Sequence, residues 1–483
     1  MRDLLLELWP HAVGTLSLLL SLLATGHVVL RKRDGRAAIG WVGLIWLVPF
    51  LGVVLYGLLG INRIRRRALE LRSERWRMEY TVGAYVCTSA EFAATVGLHD
   101  ARLARLMILG NAVTNACLVS GNRITPLING EEAYPAMLNA INNAQHSIAF
   151  TSYIFDNDPM GRMFVDALSA AVKRGVHVRV LIDAVGARYS FPPIHWALRK
   201  KKVPVARFLP TLSPASLFFL NLRSHRKILV VDGKKGFMGG MNIREGHMVS
   251  KSGPRRVRDV HFSVTGPVVA ELQRTFVEDW AFAAKEVLRG DIWFPPLIPT
   301  GSCLARGIGD GPDVAIENVH SLFMGAISSA QTSIKIVTPY FLPDQALLSA
   351  LSVAARKGIS IDIVLPQKSN IALMQWAMQA ILWQVLTAGC KIHFSPAPFD
   401  HAKIFIVDDI WAMIGSSNWD ARSLRLNFEF NLECYDRELA QTLTQLVDQR
   451  IQSARSVTLS EMDGRPLFVR LRDGVARLFS PYL

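Results

Sequence analysis

The sequence predicts an α/β protein in which two copies of one α/β domain follow a two-helix transmembrane hairpin. Two observations predict this organisation. A long motif occurs twice, and a pattern of helix followed by strand comes before each copy. Ahead of both copies, the chain holds two apolar runs joined by a short basic link. Strands that alternate with helices are typical of α/β folds with parallel strand pairs.

Composition limits the possible partners and compartments. The chain has 483 residues, which predicts two or three units, and a formal net charge of +15. This charge indicates an anionic partner, which could be nucleic acid, a membrane surface or a phosphorylated substrate. The five cysteines are scattered, without zinc-like or CxxC spacing, which favours buried free thiols in a reducing compartment.

Residues 1–62 predict a membrane hairpin with transmembrane segments at about 11–30 and 37–60. Each segment supplies the roughly 20 apolar residues that a helix needs to cross a ~30 Å hydrocarbon core. A signal peptide is the alternative for the first segment, but its start is weakly basic and no clear cleavage site follows. Pro49 predicts a kink or a re-entrant turn in the second segment.

Basic residues on the two sides of the hairpin predict its orientation. The link between the segments carries four of them, namely Arg31, Lys32, Arg33 and Arg36. The other side carries a larger set, namely Arg2, Arg63, Arg65, Arg66, Arg67, Arg72, Arg75 and Arg77. Because the more basic side of a membrane protein tends to stay in the cytoplasm, we expect both termini and the downstream domains to be cytoplasmic.

Residues 63–117 predict a helical connector, because charged and apolar residues interleave there. We expect the first α/β domain at 118–298 and the second at 299–483. The seam between them lies near the proline-rich segment 294–301.

Each predicted domain contains the same local patterns. Residues 140–148 and 326–334 both read Ala-Ile-x-x-Ala-Gln-x-Ser-Ile, which is typical of a helix end that leads into a strand. A helix, a capping glycine and a strand then recur at 171–181 and 354–364. The chain is therefore expected to be an internal duplication.

The most specific repeat is a motif of the form HxKxxxxD, followed after six residues by G[GS]xN. The first copy occupies 225–232 and 239–242, and the second occupies 401–408 and 415–418. The second copy lies 176 residues after the first (401 − 225). Two full copies with matched internal spacing are a strong signal that the motif is functional and not a chance match.

The residue types in this motif suit phosphoryl chemistry. Side chains alternate along a strand, so His225 and Lys227 share one face, as do His401 and Lys403. Imidazole acts as a nucleophile or as an acid and base near neutral pH, and an ammonium stabilises anionic oxygens. If the two sets face each other, one histidine can attack phosphorus while the other protonates the leaving alkoxide. A β-hairpin with incidental basic residues is the alternative.

Other motif residues are expected to support this chemistry. Asn242 and Asn418 return on the next strand and would add amide donors to the phosphate beside the lysines. Asp232 and Asp408 lie an odd number of residues from their histidines, at turns, so we expect them to hold the strand–turn–strand units.

Two acids follow the motifs, Asp259 in the first domain and Glu429 in the second. A carboxylate that accepts a hydrogen bond from the far ring nitrogen of a histidine would orient the imidazole. A surface or helix-capping role is the alternative for both acids. The sequence contains no pattern typical of metal ligands, so we expect no metal and no cofactor. Packing roles are expected for the remaining histidines, namely His146, His177, His195, His247, His261, His320 and His393.

The repeated motif resembles the paired HKD motifs of the phospholipase D superfamily, from about residue 124 to the C-terminus. The resemblance implies two similar domains with one shared active site, no metal and a phosphohistidine intermediate, with His225 as nucleophile and His401 as acid and base. The side chain of Arg226 departs from the pattern and is expected to point away from the site. The residues that the resemblance makes catalytic are His225, Lys227, Asp232, His401, Lys403 and Asp408.

Further matches resemble the bacterial cardiolipin synthase family, in its A type with an N-terminal hairpin. They lie at 47–56, 258–280, 418–423 and 479–483. This resemblance implies phosphatidyl transfer between two phosphatidylglycerol molecules, which gives cardiolipin and glycerol. It also implies a multi-pass protein of the bacterial inner (cell) membrane, with no nucleic acid partner.

Other functions stay open on the sequence alone. A membrane-bound phospholipase D-type hydrolase, or a phosphodiesterase or nuclease of the same superfamily, would use the same motifs. The charge of +15 suits nucleic acid, but a nuclease requires no membrane hairpin. A catalytically inactive membrane scaffold is disfavoured because both motif copies are intact. Phosphatidylethanolamine is an alternative second substrate, and the oligomeric state is open.

Overall fold

The structure is a computed structural model that divides into two compact units, Met1–Leu71 and Arg72–Leu483. It describes residues 2–32, 35–60, 85–97, 100–114, 116–209, 222–251, 253, 256–311 and 317–483. The arginines expected between residues 63 and 77 lie outside the described residues.

The N-terminal unit begins with helix α1 (Arg2–Arg31), whose portion His11–Arg31 is long and apolar enough to cross a membrane. Helices α2 (Gly35–Leu47) and α3 (Leu51–Leu55) follow, and a π-helical turn ends the described part at Tyr56–Gly60. The first expected transmembrane segment is therefore a single helix.

The second expected segment, 37–60, is not one continuous helix. It breaks between Leu47 and Leu51, where Pro49 lies and where Phe50 has a positive φ of 56°. Proline lacks the backbone N–H that a continuous helix needs and crowds the preceding turn, so the interruption expected at this position, as a kink or a re-entrant turn, is confirmed. Side chains of α1, α2 and the π-helical turn pack together around Val28, Ile45 and Tyr56.

In the second unit, the strands up to the seam belong to the first half of the duplication. They are β1 (Val119–Ile128), β2 (Ser147–Ser152), β3 (His177–Asp183), β4 (Val205–Phe208), β5 (Arg223–Ser224), β6 (Ile228–Val231), β7 (Lys235–Gly239), β8 (Val257–Arg258) and β9 (Val260–Thr265). The helices are α4 (Ser89–Val96), α5 (Ala101–Thr114), α6 (Asn129–Asn143), α7 (Pro159–Lys173), α8 (Ile194–Lys200) and α9 (Val269–Ala284).

The second half follows the same plan. Its strands are β10 (Cys303–Asp310), β11 (Ser333–Val337), β12 (Phe341–Leu342), β13 (Ser360–Pro366), β14 (Lys391–Ser395), β15 (Phe399–Asp400), β16 (Ile404–Val407), β17 (Trp411–Gly415), β18 (Trp419–Asp420), β19 (Asn427–Tyr435) and β20 (Arg455–Val457). Its helices are α10 (Asn318–Ser329), α11 (Gln345–Arg356), α12 (Ala372–Gln379), α13 (Leu382–Thr387), α14 (Ala421–Arg425), α15 (Arg437–Ser453), α16 (Leu459–Asp463) and α17 (Leu467–Arg477).

One sheet runs through both halves and repeats one strand order. The order is β1-β9-β7-β6-β2-β3-β4 in the first half and β10-β19-β17-β16-β11-β13-β14 in the second, and β1 pairs with β10. Strands β2, β3 and β4 are parallel, as are β11, β13 and β14. The expected duplication and its parallel α/β pairing are confirmed. The motif strands β6 and β16 lie inside the sheet, between two neighbours each.

Asp232 and Asp408 hold the ends of these motif strands. The Asp232 carboxylate accepts hydrogen bonds from the backbone amides of His146 at 2.7 Å and Ser147 at 2.9 Å. The Asp408 carboxylate accepts equivalent bonds from the amides of Thr332 at 2.8 Å and Ser333 at 3.0 Å. Both aspartates thus tie the turn after the motif strand to the start of the neighbouring strand, which is the structural role expected from their positions.

The described part of the connector is helical, as expected, and belongs to the body of the second unit. Phe92 and Val96 of α4 and Leu103 and Leu106 of α5 pack into the core of the second half. Residues 61–84, the earlier part of the connector, lie outside the described residues.

Candidate active site

A short strand pair joins the halves just before the first motif histidine. Strand β5 runs parallel to the start of β19, with Arg223 opposite Asn427 and Ser224 opposite Phe428. The backbone amide of His225 then donates to the carbonyl of Phe428 at 2.8 Å. The residue after Phe428 is the candidate acid of the second half, so this pairing brings it beside the histidine of the first half.

The equivalent pair on the other side has the same geometry. Strand β15 runs parallel to β8, with Phe399 opposite Val257 and Asp400 opposite Arg258. The amide of His401 donates to the carbonyl of Arg258 at 2.8 Å. The acid that follows Arg258 therefore lies beside the histidine of the second half.

Each motif histidine consequently contacts the acid of the other half. Nδ1 of His225 lies 3.0 Å from Oε2 of Glu429, and Nδ1 of His401 lies 2.8 Å from Oδ2 of Asp259. Both acid side chains are fully buried, whereas the imidazoles keep 12% and 11% of their surface exposed. With Nδ1 committed to a carboxylate, Nε2 is the ring nitrogen available to a reacting group.

The two motif lysines are buried beside the histidines. Nζ of Lys227 donates to the carbonyl oxygen of His225 at 2.6 Å. Nζ of Lys403 bonds to the carbonyl oxygen of His401 and lies 3.0 Å from its Nδ1. Burial lowers the pKa of Lys227 to about 7 and the pKa of Lys403 to about 8. Each ammonium also lowers the pKa of residues from the other half, so the four side chains share one electrostatic environment.

Burial also lowers the pKa of both histidines below the ordinary value. For His225 the charge of Glu429 opposes this effect and the charge of Lys227 reinforces it. For His401 the ammonium of Lys403 reinforces burial, and the pKa falls well below the ordinary value. In the ligand-free site both imidazoles are therefore neutral near pH 7, as a nucleophile and a general base must be, and a histidine that acts as a general acid must first gain a proton on Nε2.

The two acids differ in their surroundings. Glu429 accepts a hydrogen bond from Oγ of Ser416 at 2.5 Å and another from Nδ2 of Asn427 at 3.1 Å. Burial alone would raise the pKa of Glu429, but His225, Lys227 and the Ser416 hydroxyl hold it below the ordinary value. Glu429 is thus a firmly ionised carboxylate.

Asp259 has fewer donors than Glu429. Its Oδ1 accepts from the backbone amide of Val260 at 2.8 Å. Burial raises the pKa of Asp259, and the ammonium of Lys403 offsets this rise only in part. Gly240, the motif position equivalent to Ser416, carries no hydroxyl, and a Cβ there would lie 2.6 Å and 2.8 Å from the Asp259 oxygens. The duplicated site is therefore chemically asymmetric.

The motif asparagines make structural contacts in this structure. Oδ1 of Asn242 accepts from the backbone amide of Ile154 at 3.0 Å. Nδ2 of Asn418 donates to Oγ of Ser423 at 3.1 Å, while its Oδ1 is buried and has no hydrogen-bond partner among the residues that the structure describes. Their expected role as phosphate donors stays a prediction.

Arg226, the departure from the family pattern, points away from the reacting face as expected. Its side chain is 1% exposed and pairs with Asp279 at 2.6 Å. Its Nε donates to the backbone carbonyl of Glu429 at 3.0 Å, so this guanidinium braces the pairing of the two halves.

Several site residues were not identified from the sequence. The Tyr153 ring centroid lies 5.1 Å from that of His225, and Nζ of Lys227 lies 5.6 Å from the Tyr153 ring. Tyr153 follows the parallel strand β2, and the carboxyl ends of parallel strands are where α/β sheets bind ligands, which is the signal that could have identified it. Ser416 and Asn427, the donors to Glu429, carried no separate signal beyond the motif.

The remaining histidines that lie near the site are buried. Burial lowers the pKa of His247 to about 3 and that of His261 to about 4, so both are neutral. Among the described residues, no group of three or more His, Cys, Asp or Glu side chains could hold a metal ion.

Known protein families match most of the chain. The family described as "Cardiolipin synthase, PLD-like domain", where PLD stands for phospholipase D, matches residues 137–280 and 323–451. The family described as the phospholipase D-nuclease N-terminal region matches residues 19–60. The first of these matches falls once on each half of the duplication.

Individual proteins are similar over nearly the full length. The major cardiolipin synthase of Bacillus subtilis is 32% identical over 471 residues, which cover 96% of this chain and 97% of that protein. A cardiolipin synthase of Alkalihalophilus pseudofirmus is 31% identical, covering 98% and 94%. The crystal structure of phosphatidylserine synthase from Haemophilus influenzae shares the fold, with a TM-score of 0.61 at 16% identity, over 78% of this chain and 100% of that one. The chain therefore belongs to the cardiolipin synthase family of phospholipase D-like proteins.

Proposed function

We propose that this protein is a phosphatidyltransferase that converts two phosphatidylglycerol molecules into cardiolipin and glycerol. The observation that carries the proposal is the crossed pairing of two histidines with two acids in one site. This arrangement supplies a nucleophile and a separate acid and base, which an exchange of one phosphodiester for another requires. The full-length similarity to cardiolipin synthases supports this substrate over nucleic acid.

In the first step, Nε2 of His225 attacks the phosphorus of one phosphatidylglycerol. His401 carries a proton on both ring nitrogens at this stage, because the anionic phosphodiester bound beside it favours the imidazolium form. The bond to the headgroup glycerol breaks, the alkoxide takes the Nε2 proton of His401, and glycerol leaves while neutral His401 and a phosphatidyl-histidine remain. In the second step, the terminal hydroxyl of another phosphatidylglycerol attacks the phosphorus while His401 accepts its proton. The N–P bond breaks and cardiolipin forms. Lys227 and Lys403 stabilise the phosphoryl oxygens in both steps.

The asymmetry of the acids supports this order of the histidines. An imidazole that is bonded to phosphorus at one nitrogen carries positive charge while Nδ1 keeps its proton. Glu429, firmly ionised by its own hydrogen bonds, stabilises that charge on His225. His401 lies beside Asp259, whose pKa is raised, and beside an ammonium, so it gives up a proton readily.

We also propose that the protein is integral to the bacterial inner membrane, crosses it more than once and keeps its catalytic domains in the cytoplasm. Helix α1 has the length and composition of a membrane span, and the family match at 19–60 covers part of the first apolar segment and all of the second. The break at Pro49 makes the second segment a kinked or re-entrant span. The basic residues beside the hairpin support the cytoplasmic orientation.

The purified protein, incubated with phosphatidylglycerol alone in detergent micelles, tests the proposed reaction. We expect cardiolipin and free glycerol in equal amounts. The variants His225→Ala and His401→Ala should each lose activity by at least about 10³-fold, because each lacks the nucleophile or the acid and base. Phosphatidic acid without cardiolipin would show a hydrolase instead, and unchanged lipid would favour the phosphodiesterase or nuclease alternative.

A further inference from the structure

Helix α17 exposes an apolar face to solvent. A helix turns by about 100° per residue. By this geometry, the large exposed apolar residues of α17, together with two that follow the helix, lie within an arc of about 120°. These side chains, between 50% and 73% exposed, belong to Leu467, Phe468, Leu471, Val475, Leu478 and Phe479. A surface helix ordinarily presents polar side chains on this side, so the apolar face indicates a contact outside the fold.

The opposite side of α17 is fixed to the body of the protein. Asp473, with a fully buried side chain, pairs with Arg465 at 2.7 Å and with Arg472 at 2.8 Å. Arg465 also donates to the carbonyl of Gln379 in α12, and the Arg472 guanidinium lies 4.6 Å from the Trp376 ring of the same helix. These contacts fix the rotation of α17 about its axis, and this rotation directs the apolar face outward.

Arginines border the apolar face on both sides. In the helical projection, Arg472 lies at one margin, and Arg470 and Arg477 lie at the other. An apolar face bordered by cationic side chains is typical of helices that lie in the interface of an anionic bilayer. A second copy of this chain, itself with a net charge of +15, would bring like charges together at these margins.

This helix is linked to the active site through a short series of contacts. The His401 ring lies 6.0 Å from the Phe399 ring, which lies 6.3 Å from the Tyr340 ring. The Tyr340 hydroxyl donates to Oδ1 of Asn370 at 2.7 Å, and α12, against which α17 packs, begins two residues later. Helix α17 is therefore connected through α12 to the His401 side of the site.

We propose that α17 docks on the surface of an anionic lipid bilayer and holds the His401 side of the active site against it. Six apolar side chains enter the headgroup region, and the bordering arginines contact lipid phosphates. The docking itself needs no assumption about the reaction. Its consequence for catalysis rests on the proposed function, because only a bilayer substrate gains from it.

A fluorescent probe on Leu471→Cys in the full-length protein tests the docking, with exposed Cys117 and half-buried Cys87 replaced by serine. The protein is placed in phosphatidylglycerol vesicles that contain brominated lipid. We expect the brominated acyl chains to quench the probe and aqueous iodide to reach it poorly. A probe on Val353→Cys, on α11 and 59% exposed, is the matched control and should show the reverse. Equal iodide access at both positions would overturn the proposal.

Two further results would also overturn it. Protection of the Leu471→Cys probe from both quenchers, together with disulfide-linked dimers of the same variant before it is labelled, would show that a second copy covers this face. The second result compares two samples. One is the probe-labelled protein with Arg470→Gln and Arg477→Gln in neutral phosphatidylcholine vesicles, and the other is the protein that keeps both arginines in anionic vesicles. Equally strong quenching by brominated lipid in both samples would show that anionic lipid has no role in the docking.

Activity measurements then separate the docking from the reaction. The triple variant Leu467→Ser, Phe468→Ser and Leu471→Ser should lose several-fold in transfer on bilayer phosphatidylglycerol but keep wild-type activity on monomeric short-chain phosphatidylglycerol. The matched control is Ile298→Ser with Val353→Ser, which removes exposed apolar side chains elsewhere. Equal loss on both substrates would overturn the proposal. Absence of cardiolipin synthesis by the wild type would instead contradict the proposed function and leave the probe result standing.

Discussion

At the scale of single residues, the site depends on contacts that cross from one half to the other. Glu429 of the second half orients His225 of the first, and Asp259 of the first half orients His401 of the second. Neither motif histidine is paired with the candidate acid of its own half. The duplication therefore produces one active site rather than two.

The buried lysines predict a pH dependence of the reaction. Because burial lowers the pKa of Lys227 to about 7 and that of Lys403 to about 8, the free enzyme loses these positive charges as pH rises through that range. The lowered histidine pKa values keep the imidazoles of the free enzyme neutral near pH 7, so protonation of the nucleophile His225 reduces the rate only below its ordinary pKa. We expect kcat/KM on monomeric phosphatidylglycerol to fall on the alkaline side between about pH 7 and 8.

Lys227→Arg provides the control for this pH profile. A guanidinium stays charged at alkaline pH, so the remaining alkaline decline should move toward the higher pKa of Lys403, with a lower maximal rate because arginine fits the site less well. A wild-type profile that stays flat up to about pH 9 would contradict the assignment of the lowered lysine pKa values to the reaction.

At the scale of secondary structure, two-residue strand pairs set the register of the site. In the pairs β5–β19 and β8–β15, the motif histidine follows directly after one strand. The acid of the other half comes directly after the paired residues of the partner strand. Strand pairs of this length contribute little stability themselves. They align each motif histidine with the acid of the other half.

The glycine at position 240 tests this alignment. A Cβ at Gly240 would lie 2.6 Å from the Asp259 carboxylate, so Gly240→Ala should push Asp259 away from His401. We expect transfer to fall by about 10²-fold, as for a displacement of about 1 Å in an active site. The measurement is the initial rate of cardiolipin formation, with the melting temperature as a check on folding.

Gly309→Ala is the matched control for this substitution. It lies on β10, and the nearest heavy atom to its added Cβ is 3.8 Å away, an ordinary contact. Its rate should stay close to that of the wild type. A Gly240→Ala protein with an unchanged rate and melting temperature would show that Asp259 does not orient His401 during catalysis.

The elements of each half could be predicted from the sequence, because local patterns determine them. The repeated helix–strand patterns and the capping glycines occur within short windows, and the structure has helices and strands at those positions. The turn aspartates could be assigned because Asp232 and Asp408 keep the same spacing from their histidines.

The crossed pairing could not be predicted, because it depends on which strands of different halves lie side by side. The acids also break the spacing of the repeat: Asp259 follows its motif histidine by 34 residues (259 − 225), and Glu429 follows by 28 (429 − 401). The interruption of the second apolar segment was indicated by Pro49, but its extent depends on packing within the hairpin.

At the scale of the whole molecule, the sheet that spans both halves makes the second unit one cooperative body. Strand β1 pairs with β10, and the connector helices pack into the core of the second half. Separation of the two halves would therefore break the sheet and remove each motif histidine from the acid of the other half. In the proposed mechanism, this arrangement would hold both histidines in place while glycerol leaves and the second lipid enters.

The covalent intermediate tests the central claim most directly. The wild-type protein is mixed with phosphatidylglycerol, stopped within its steady state by a denaturant at neutral pH, digested and analysed by mass spectrometry. We predict a phosphatidyl group on the peptide that contains His225, and no such group in His225→Ala. Cardiolipin formed at the full rate with no modified histidine, or with the phosphatidyl group on His401, would contradict the account.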